Sequence, residues 1–530
     1  MNDFQLDGSS APIELGRGIR LVAPGLVGQG RTHEERQPGM RAGTPGQETA
    51  SFDDALAAAD MSETMSVELD AAEAPVAGPA PDLRSPGGED AMMLEVPDAG
   101  PEWEHVVLEI DEGGVMRWHL PLTEDNQVAA PATRGTGAVK RFRIPKAVAP
   151  TATGEQAKTR GLVGMVGKKL LKVLVYPVTD VLIGHAIDLF AEKWEGKKRP
   201  YGLRFMTPDN YATPGAPQLT GDDWKQLSSG RALLMIHGTF STAHGAFSGL
   251  DRTDMEELHA AYGGRVFAFD HHSLSHNPAR NIKELAARIP AGVSLDVDII
   301  CHSRGGLVAR ELAERGATYG VGPDRIKVNR VVFVGAANAG TILAQPDHMV
   351  SMIDRLTSVS NLIPTGFVSE LLDGLITVIK VIGHGGLKSL DGLASMNPDG
   401  EYLKGFASAP KCSATYYAIT ADFDAGSQES TAPLKSLVKD ALMDKIFDKA
   451  ANDLVVPTEG VFAPNGSASF PIDVVYRLEM AKTTGVVHTT YFTSPDARKK
   501  MKEWLTTEAP PVVAQAGVIP SLVEGSLASR

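Results

Sequence analysis

The strongest constraint on how this chain can fold is the run Asp298-Ile299-Ile300-Cys301-His302-Ser303-Arg304-Gly305-Gly306-Leu307. An apolar β-rich stretch, Val297 to Ile300, stops at a serine, and two glycines open a helix-like segment directly after it. This pattern predicts a turn from strand to helix so sharp that the serine hydroxyl stands exposed at the edge of a sheet. Glycines are needed because bulky side chains near the serine would clash across the turn. The usual form is G-x-S-x-G. Here Cys301 replaces the first glycine, and it is small enough to fit.

Other segments follow in an informative order. Upstream, Arg231-Ala-Leu-Leu-Met-Ile reads as a buried strand ending in His237-Gly238-Thr239-Phe240. Downstream, Val331-Val-Phe-Val leads into Gly335 and a Gly340-Thr341 turn. Asn452-Asp453-Leu454-Val455-Val456-Pro457 offers an acid in a loop. Val486-Val487-His488-Thr489-Thr490-Tyr491-Phe492 offers a histidine, followed by a helix-like close from Asp496 to Leu505. On these motifs the chain resembles the bacterial lipase and esterase branch of the α/β-hydrolase superfamily, over roughly residues 200 to 506.

That resemblance implies a mostly parallel sheet with helices on both faces and a helical cap insertion. It implies Ser303 as nucleophile, His488 as its base and Asp453 as the acid that orients the base, in the chain order Ser, Asp, His. It also implies an oxyanion hole made by the amides of Thr239 (or Phe240) and Arg304. Asp422, at the end of the strand preceding Asp453, is the alternative acid. His237 is expected to pack under the oxyanion loop, and His302 beside the serine.

Alternating apolar strands and helices argue for the same architecture without the resemblance. Strands are expected at Leu233–Ile236, Val266–Phe269, Val297–Ile300, Val331–Val334 and Ala414–Ile419, with helices such as Asn281–Ile289 and Leu307–Arg315 between them. The rhythm lapses between Thr341 and Leu403. There Met349–Leu356 and Val368–Val381 read as apolar helices, and residues 342–403 are taken as the cap insertion.

The remainder divides by composition. Residues 1–100 are acidic and rich in Gly, Pro and Ala, with Phe4 and Phe52 as their only aromatics, and they read as disordered. Residues 102–147 read as a small β module: Val106, Leu108 and Ile110 alternate, as do Met116, Trp118 and Leu120 across a Gly113-Gly114 turn, and Arg141–Ile144 supplies a third strand. Residues 161–199 read as an apolar helical linker, broken near Pro177. A sharper reading makes it a membrane-surface helix with Lys168, Lys169, Lys172 and the Lys193/Lys197/Lys198/Arg199 group facing headgroups. Residues 507–530 read as a flexible tail.

The net charge of −14 leaves no basic excess to neutralise phosphates, so no nucleic-acid partner is expected. Two cysteines, Cys301 and Cys412, make no disulfide framework. No signal peptide or transmembrane run is visible, and the expected location is the cytoplasm, with peripheral membrane contact as an option. Asp270-His271-His272-Ser-Leu-Ser-His276 has the residue types of a metal site. Its spacing does not favour one, and it is read as a loop lining the pocket; neither cofactor nor metal is expected. The expected activity is hydrolysis of carboxylic esters, lipid-like ones included, through an acyl-enzyme on Ser303. The alternatives are an acyltransferase or thioesterase using the same residues, and a non-catalytic interaction protein.

Overall fold

In the computed structural model, the residues described are 2–34, 60–73, 91–111, 116–122, 138–146, 168–177, 187–345, 348–360, 390–406, 408–423, 450–464 and 466–507, with Leu56 and six positions between 372 and 379. Most of the Val368–Val381 segment, the tail after Thr507 and large parts of the first hundred residues lie outside them.

Among the described residues, ten strands lie between residues 2 and 177: β1 (Asn2–Asp7), β2 (Ile13–Gly16), β3 (Ile19–Val22), β4 (Leu26–Glu34), β5 (Ser62–Glu73), β6 (Ala91–Pro97), β7 (Trp103–Asp111), β8 (Met116–His119), β9 (Val139–Pro145) and β10 (Lys168–Pro177). They form two antiparallel sheets, ordered β1-β4-β5-β10-β7-β8 and β2-β3-β6-β9. Two expectations are corrected here. The first hundred residues are not wholly disordered, because six strands fall within them. Few aromatics are needed there, since alternating aliphatics such as Met65, Val67 and Leu69 on β5 bury their face against Leu21, Leu94 and Ile144. The 161–199 segment is not a helical linker, because residues 168–177 are the strand β10.

The reason for the second correction is that β10 is covered on both faces. Leu171 and Val173 belong to the core between the two antiparallel sheets, whereas Leu174 and Tyr176 face the opposite way, into the core shared with the sheet formed by later strands. Val107 and its neighbours Val106 and Leu108 on β7 divide the same way. A strand apolar on both faces loses its two-residue alternation and reads like a buried helix. Two of the lysines in the membrane-facing reading are paired within the protein on this strand. Lys169 is fully buried and donates to Glu109 Oε1 at 2.5 Å, and Lys172 pairs with Glu63 at 3.0 Å. Among the described residues of this segment, the helix α1 (Ile187–Lys198) corresponds to the helical expectation.

The following strands are β11 (Gly202–Phe205), β12 (Arg231–Ile236), β13 (Val266–Asp270), β14 (Leu295–His302), β15 (Ile326–Val334), β16 (Thr415–Ala421) and β17 (Arg477–Met480). They make one sheet ordered β11-β13-β12-β14-β15-β16-β17, in which β11 is antiparallel and all other pairs are parallel. The helices between them are α2 (Gly221–Ser228), α3 (Arg252–Ala261), α4 (Pro278–Arg288), α5 (Gly305–Arg315), α6 (Met349–Ser360) and α7 (Pro495–Thr506), together with shorter ones.

Side chains of the central strands alternate between two cores. Leu234 and Ile236 of β12 and Ile299 and Cys301 of β14 enter one; Leu233, Met235 and Ile300 enter the other. This is why the strands appear as unbroken apolar runs. Because β12, β14, β15 and β16 are parallel, their C-terminal ends share one edge of the sheet, and the residues that follow them meet there.

Candidate functional site

Ser303 follows β14 directly and has φ of +55°, in the left-handed region that costs a non-glycine residue about 1–3 kcal/mol. The strain is held by main-chain bonds on both sides. Ser303 N donates to Val334 O, and Ser303 O accepts from Gly306 N and Ala337 N. A Cβ on Gly305 would lie 2.5 Å from His237 O, so only glycine lets α5 start against the end of β12. One on Gly238 would lie 2.7 Å from Ser303 Cβ. The missing first glycine of the pattern has a local explanation. The Cys301 side chain points into the core and reaches Val332 O at 3.5 Å, away from the elbow's crowded side.

The sequence-predicted residues converge. His488 Nε2 lies 2.9 Å from Ser303 Oγ, and its Nδ1 lies 2.8 Å from Asp453 Oδ2. All three are almost completely buried. Asp453 Oδ1 accepts from Val455 N at 3.0 Å and Val456 N at 2.7 Å, while Oδ2 also accepts from Tyr491 Oη at 2.9 Å. Burial pushes the Asp453 carboxyl up, but the His488 ring and these backbone donors outweigh it and hold its pKa below the ordinary value. The acid loop is anchored to the sheet by Thr458 Oγ1 donating to Ala421 O and Phe423 N donating to Asn452 O. Asp422, the alternative acid, sits at the end of β16 beside Lys482 Nζ at 3.6 Å and is not brought to His488.

Around this group, His302 Nε2 lies 2.8 Å from His488 O. Burial, reinforced by the neighbouring His488, lowers the His302 pKa to about 3, so the ring is neutral and donates to that carbonyl. His237 Nε2 accepts from His271 N, which leaves Nδ1–H facing Gly238 O at 2.8 Å; burial lowers its pKa to about 4. Phe240 N donates to Ser273 Oγ at 3.2 Å, and Phe240 has φ of +58°. Of the two amides weighed for this loop, that of Phe240 is therefore engaged elsewhere. Among the described residues, no acceptor in the chain takes the N–H of Thr239 or Arg304. The Arg304 side chain is buried behind the elbow. It donates from Nε to Gly392 O and from Nη2 to His276 O and Asn281 Oδ1.

Ser303 and His488 open into a cleft walled by Thr239, small residues of the 243–249 segment (Gly245, Ala246, Gly249), and Met352, Leu356, Met396, Val455, Val456 and Phe492. The wall is mainly apolar, and Met352 and Leu356 come from α6, in the insertion expected to act as a cap. The Asp270–His276 loop does not line this cleft, contrary to expectation. Its histidines are turned into the protein, where His271 stacks on His237 and His272 and His276 stack on Tyr201, because desolvation favours neutral rings packed on aromatic faces. Among the described residues, no group of three or more His, Cys, Asp or Glu is arranged to hold a metal ion. No helix among them is long and apolar enough to cross a membrane.

Sequence reading missed Tyr491, Ser273 and Glu195. Tyr491 lies within the quoted Val486–Phe492 run, three residues after His488, and its hydroxyl was the available signal.

No curated protein matches this chain. Solved structures similar to it include a Bacillus licheniformis lipase in mature form, at 15% identity and a TM-score of 0.33, covering 52% of this chain and 92% of that one. Lipase 1 from Pelosinus fermentans is 11% identical with a TM-score of 0.37, covering 52% and 97%. A hydrolase from Pseudomonas aeruginosa is 14% identical with a TM-score of 0.30, covering 52% and 90%. These likenesses are distant. A family model does match, over residues 198–506, and through it the chain belongs to the family described as Domain of unknown function (DUF7379).

Proposed function

We propose that this protein is a serine hydrolase of the α/β-hydrolase type that cleaves carboxylic esters with an apolar acyl or alcohol group. The observation that carries the reading is the continuous hydrogen-bonded line Ser303 Oγ–His488–Asp453, at 2.9 and 2.8 Å, ending in a buried acid. A serine hydroxyl is a weak nucleophile until a base takes its proton. His488 Nε2 accepts that proton as Oγ attacks the ester carbonyl, and Asp453 stabilises the resulting imidazolium. The Thr239 and Arg304 amides donate to the oxyanion of the tetrahedral intermediate; loss of one such donor typically costs about 10²–10³ in rate. His488 then returns the proton to the departing alkoxide, which leaves as the alcohol, with the acyl group on Ser303. Water activated by the same imidazole releases the carboxylic acid. The apolar cleft supports esters over charged substrates, and its small-residue wall leaves room for a chain.

The test is hydrolysis of p-nitrophenyl esters of increasing acyl length by the full chain and by Ser303→Ala. The reading expects activity in the full chain and a loss of at least about 10³-fold in the variant. Undiminished hydrolysis by Ser303→Ala would remove it.

A further inference from the structure

The loop after β13, which the sequence singled out and the cleft does not use, has a different place in the molecule. Glu195 of α1 is completely buried, and its carboxylate accepts hydrogen bonds from three successive backbone amides: Ser273 N at 2.6 Å, Leu274 N at 2.9 Å and Ser275 N at 2.8 Å. Ser275 Oγ donates a fourth at 2.5 Å. Three backbone amides on one buried carboxylate fix the loop's conformation, because moving the loop would strand those amides and the carboxylate in the core, whereas the Ser275 hydroxyl adds to a carboxylate that the amides already hold. The Ser273 side chain, itself completely buried, then presents Oγ to Phe240 N at 3.2 Å. That contact falls on the segment His237-Gly238-Thr239-Phe240, whose Phe240 is held at φ of +58°. A strained residue keeps such a conformation only when its surroundings impose it.

We propose that Ser273, held by Glu195, is a positioning residue for the oxyanion loop. Its hydroxyl captures the Phe240 amide and thereby fixes the adjoining Thr239 peptide so that the Thr239 N–H faces Ser303. The inference rests on the ester-hydrolase reading above. It explains why an acid outside the parallel sheet and a loop outside the cleft are both buried against this turn. Without the Ser273 hydroxyl, Phe240 N–H has no acceptor on that side, and the loop relaxes toward ordinary backbone angles, carrying the Thr239 amide off the oxyanion.

The test compares Ser273→Ala with Ser275→Ala in the full chain. Both remove one hydroxyl from the same loop, but only the first removes the contact to Phe240. For a p-nitrophenyl ester, Ser273→Ala is expected to lower kcat about tenfold or more with KM within about twofold, since a displaced oxyanion donor acts on the transition state. A trifluoromethyl ketone, whose hemiketal carries an oxyanion, should lose affinity by the same factor. Ser273→Thr, which keeps a hydroxyl, should recover part of the rate, and Ser275→Ala should stay within about threefold of the parent in kcat. Equal losses of kcat in the two alanine variants, or a Ser273→Ala variant with parental kcat and inhibitor affinity, would overturn the proposal. Either outcome is separable from failure of the hydrolase reading, which Ser303→Ala reports on its own.

Discussion

Residue by residue, the site is built from groups whose freedom has been removed. The Asp453 carboxylate accepts four hydrogen bonds, one of them from Tyr491 Oη to the same oxygen that faces His488. Tyr491→Phe deletes a donor to a buried carboxylate, a change worth about 1–3 kcal/mol. Its expected result is a lower thermal midpoint with Ser303 still reactive to a fluorophosphonate. Gly238 is a sharper case. With Ser303 Cβ 2.7 Å from where its own Cβ would stand, Gly238→Ala must push the serine or the 237–240 loop aside. A misplacement near 1 Å costs about 10² in rate. The variant should fold, as judged by an unchanged circular dichroism spectrum, and lose about that factor in kcat.

For the elements, α6 is the joint between the amino-terminal sheets and the cleft. Its Asp354 Oδ1 accepts from Trp118 N on β8 at 2.8 Å, its Arg355 Nη1 donates to Leu454 O beside Asp453, and its Met352 and Leu356 wall the cleft. Asp354→Ala is expected to loosen this helix and raise KM for long-chain esters more than for acetate; equal effects on both would refute the link. Much of the parallel sheet was legible because its strands are short apolar runs separated by helical ones, and the elbow was legible because glycines at Gly305 and Gly306 have no other ready explanation. The edge strands β11 and β17 were not, being four residues each with Arg204 or Glu479 inside them. β10 was misread because burial on both faces erases alternation. The Ser273–Glu195 brace was invisible, since nothing in the spacing of residues 195 and 273 says that they meet.

In the whole molecule, the amino-terminal sheets and the parallel-sheet domain share one apolar core. Trp118, Leu174 and Tyr176 lie in the same cluster as Ile353, Leu356 and Leu375. A fragment limited to the family-matched residues 198–506 would expose that surface, and it should be insoluble or self-associated by light scattering; a monodisperse, active fragment would contradict a shared core. The sheet packing also buries a charge cluster. Glu109 is held between Lys169 and His119. Burial alone would raise its carboxyl, but the His119 hydrogen bond and the Lys169 and Arg117 charges outweigh it and lower the pKa to about 2. A depressed carboxylate contributes stability that is present above its unfolded pKa, near 4.5, and lost as pH falls toward 2. Glu109→Gln should therefore flatten the fall of stability over that window. At neutral pH it should also cost about 1–3 kcal/mol, because the buried Lys169 ammonium loses the Glu109 carboxylate while keeping its bond to Pro145 O. Guanidinium unfolding at pH 7 and pH 3 measures both effects.

The most direct measurement is a crystal structure of the full chain after reaction with an alkyl fluorophosphonate. A single adduct is expected, on Ser303 Oγ, with the phosphoryl oxygen about 2.7–3.1 Å from the amide nitrogens of both Thr239 and Arg304 and the alkyl chain between α6 and the 243–249 segment. An adduct on any other residue, or a phosphoryl oxygen turned away from those amides into solvent, would contradict it.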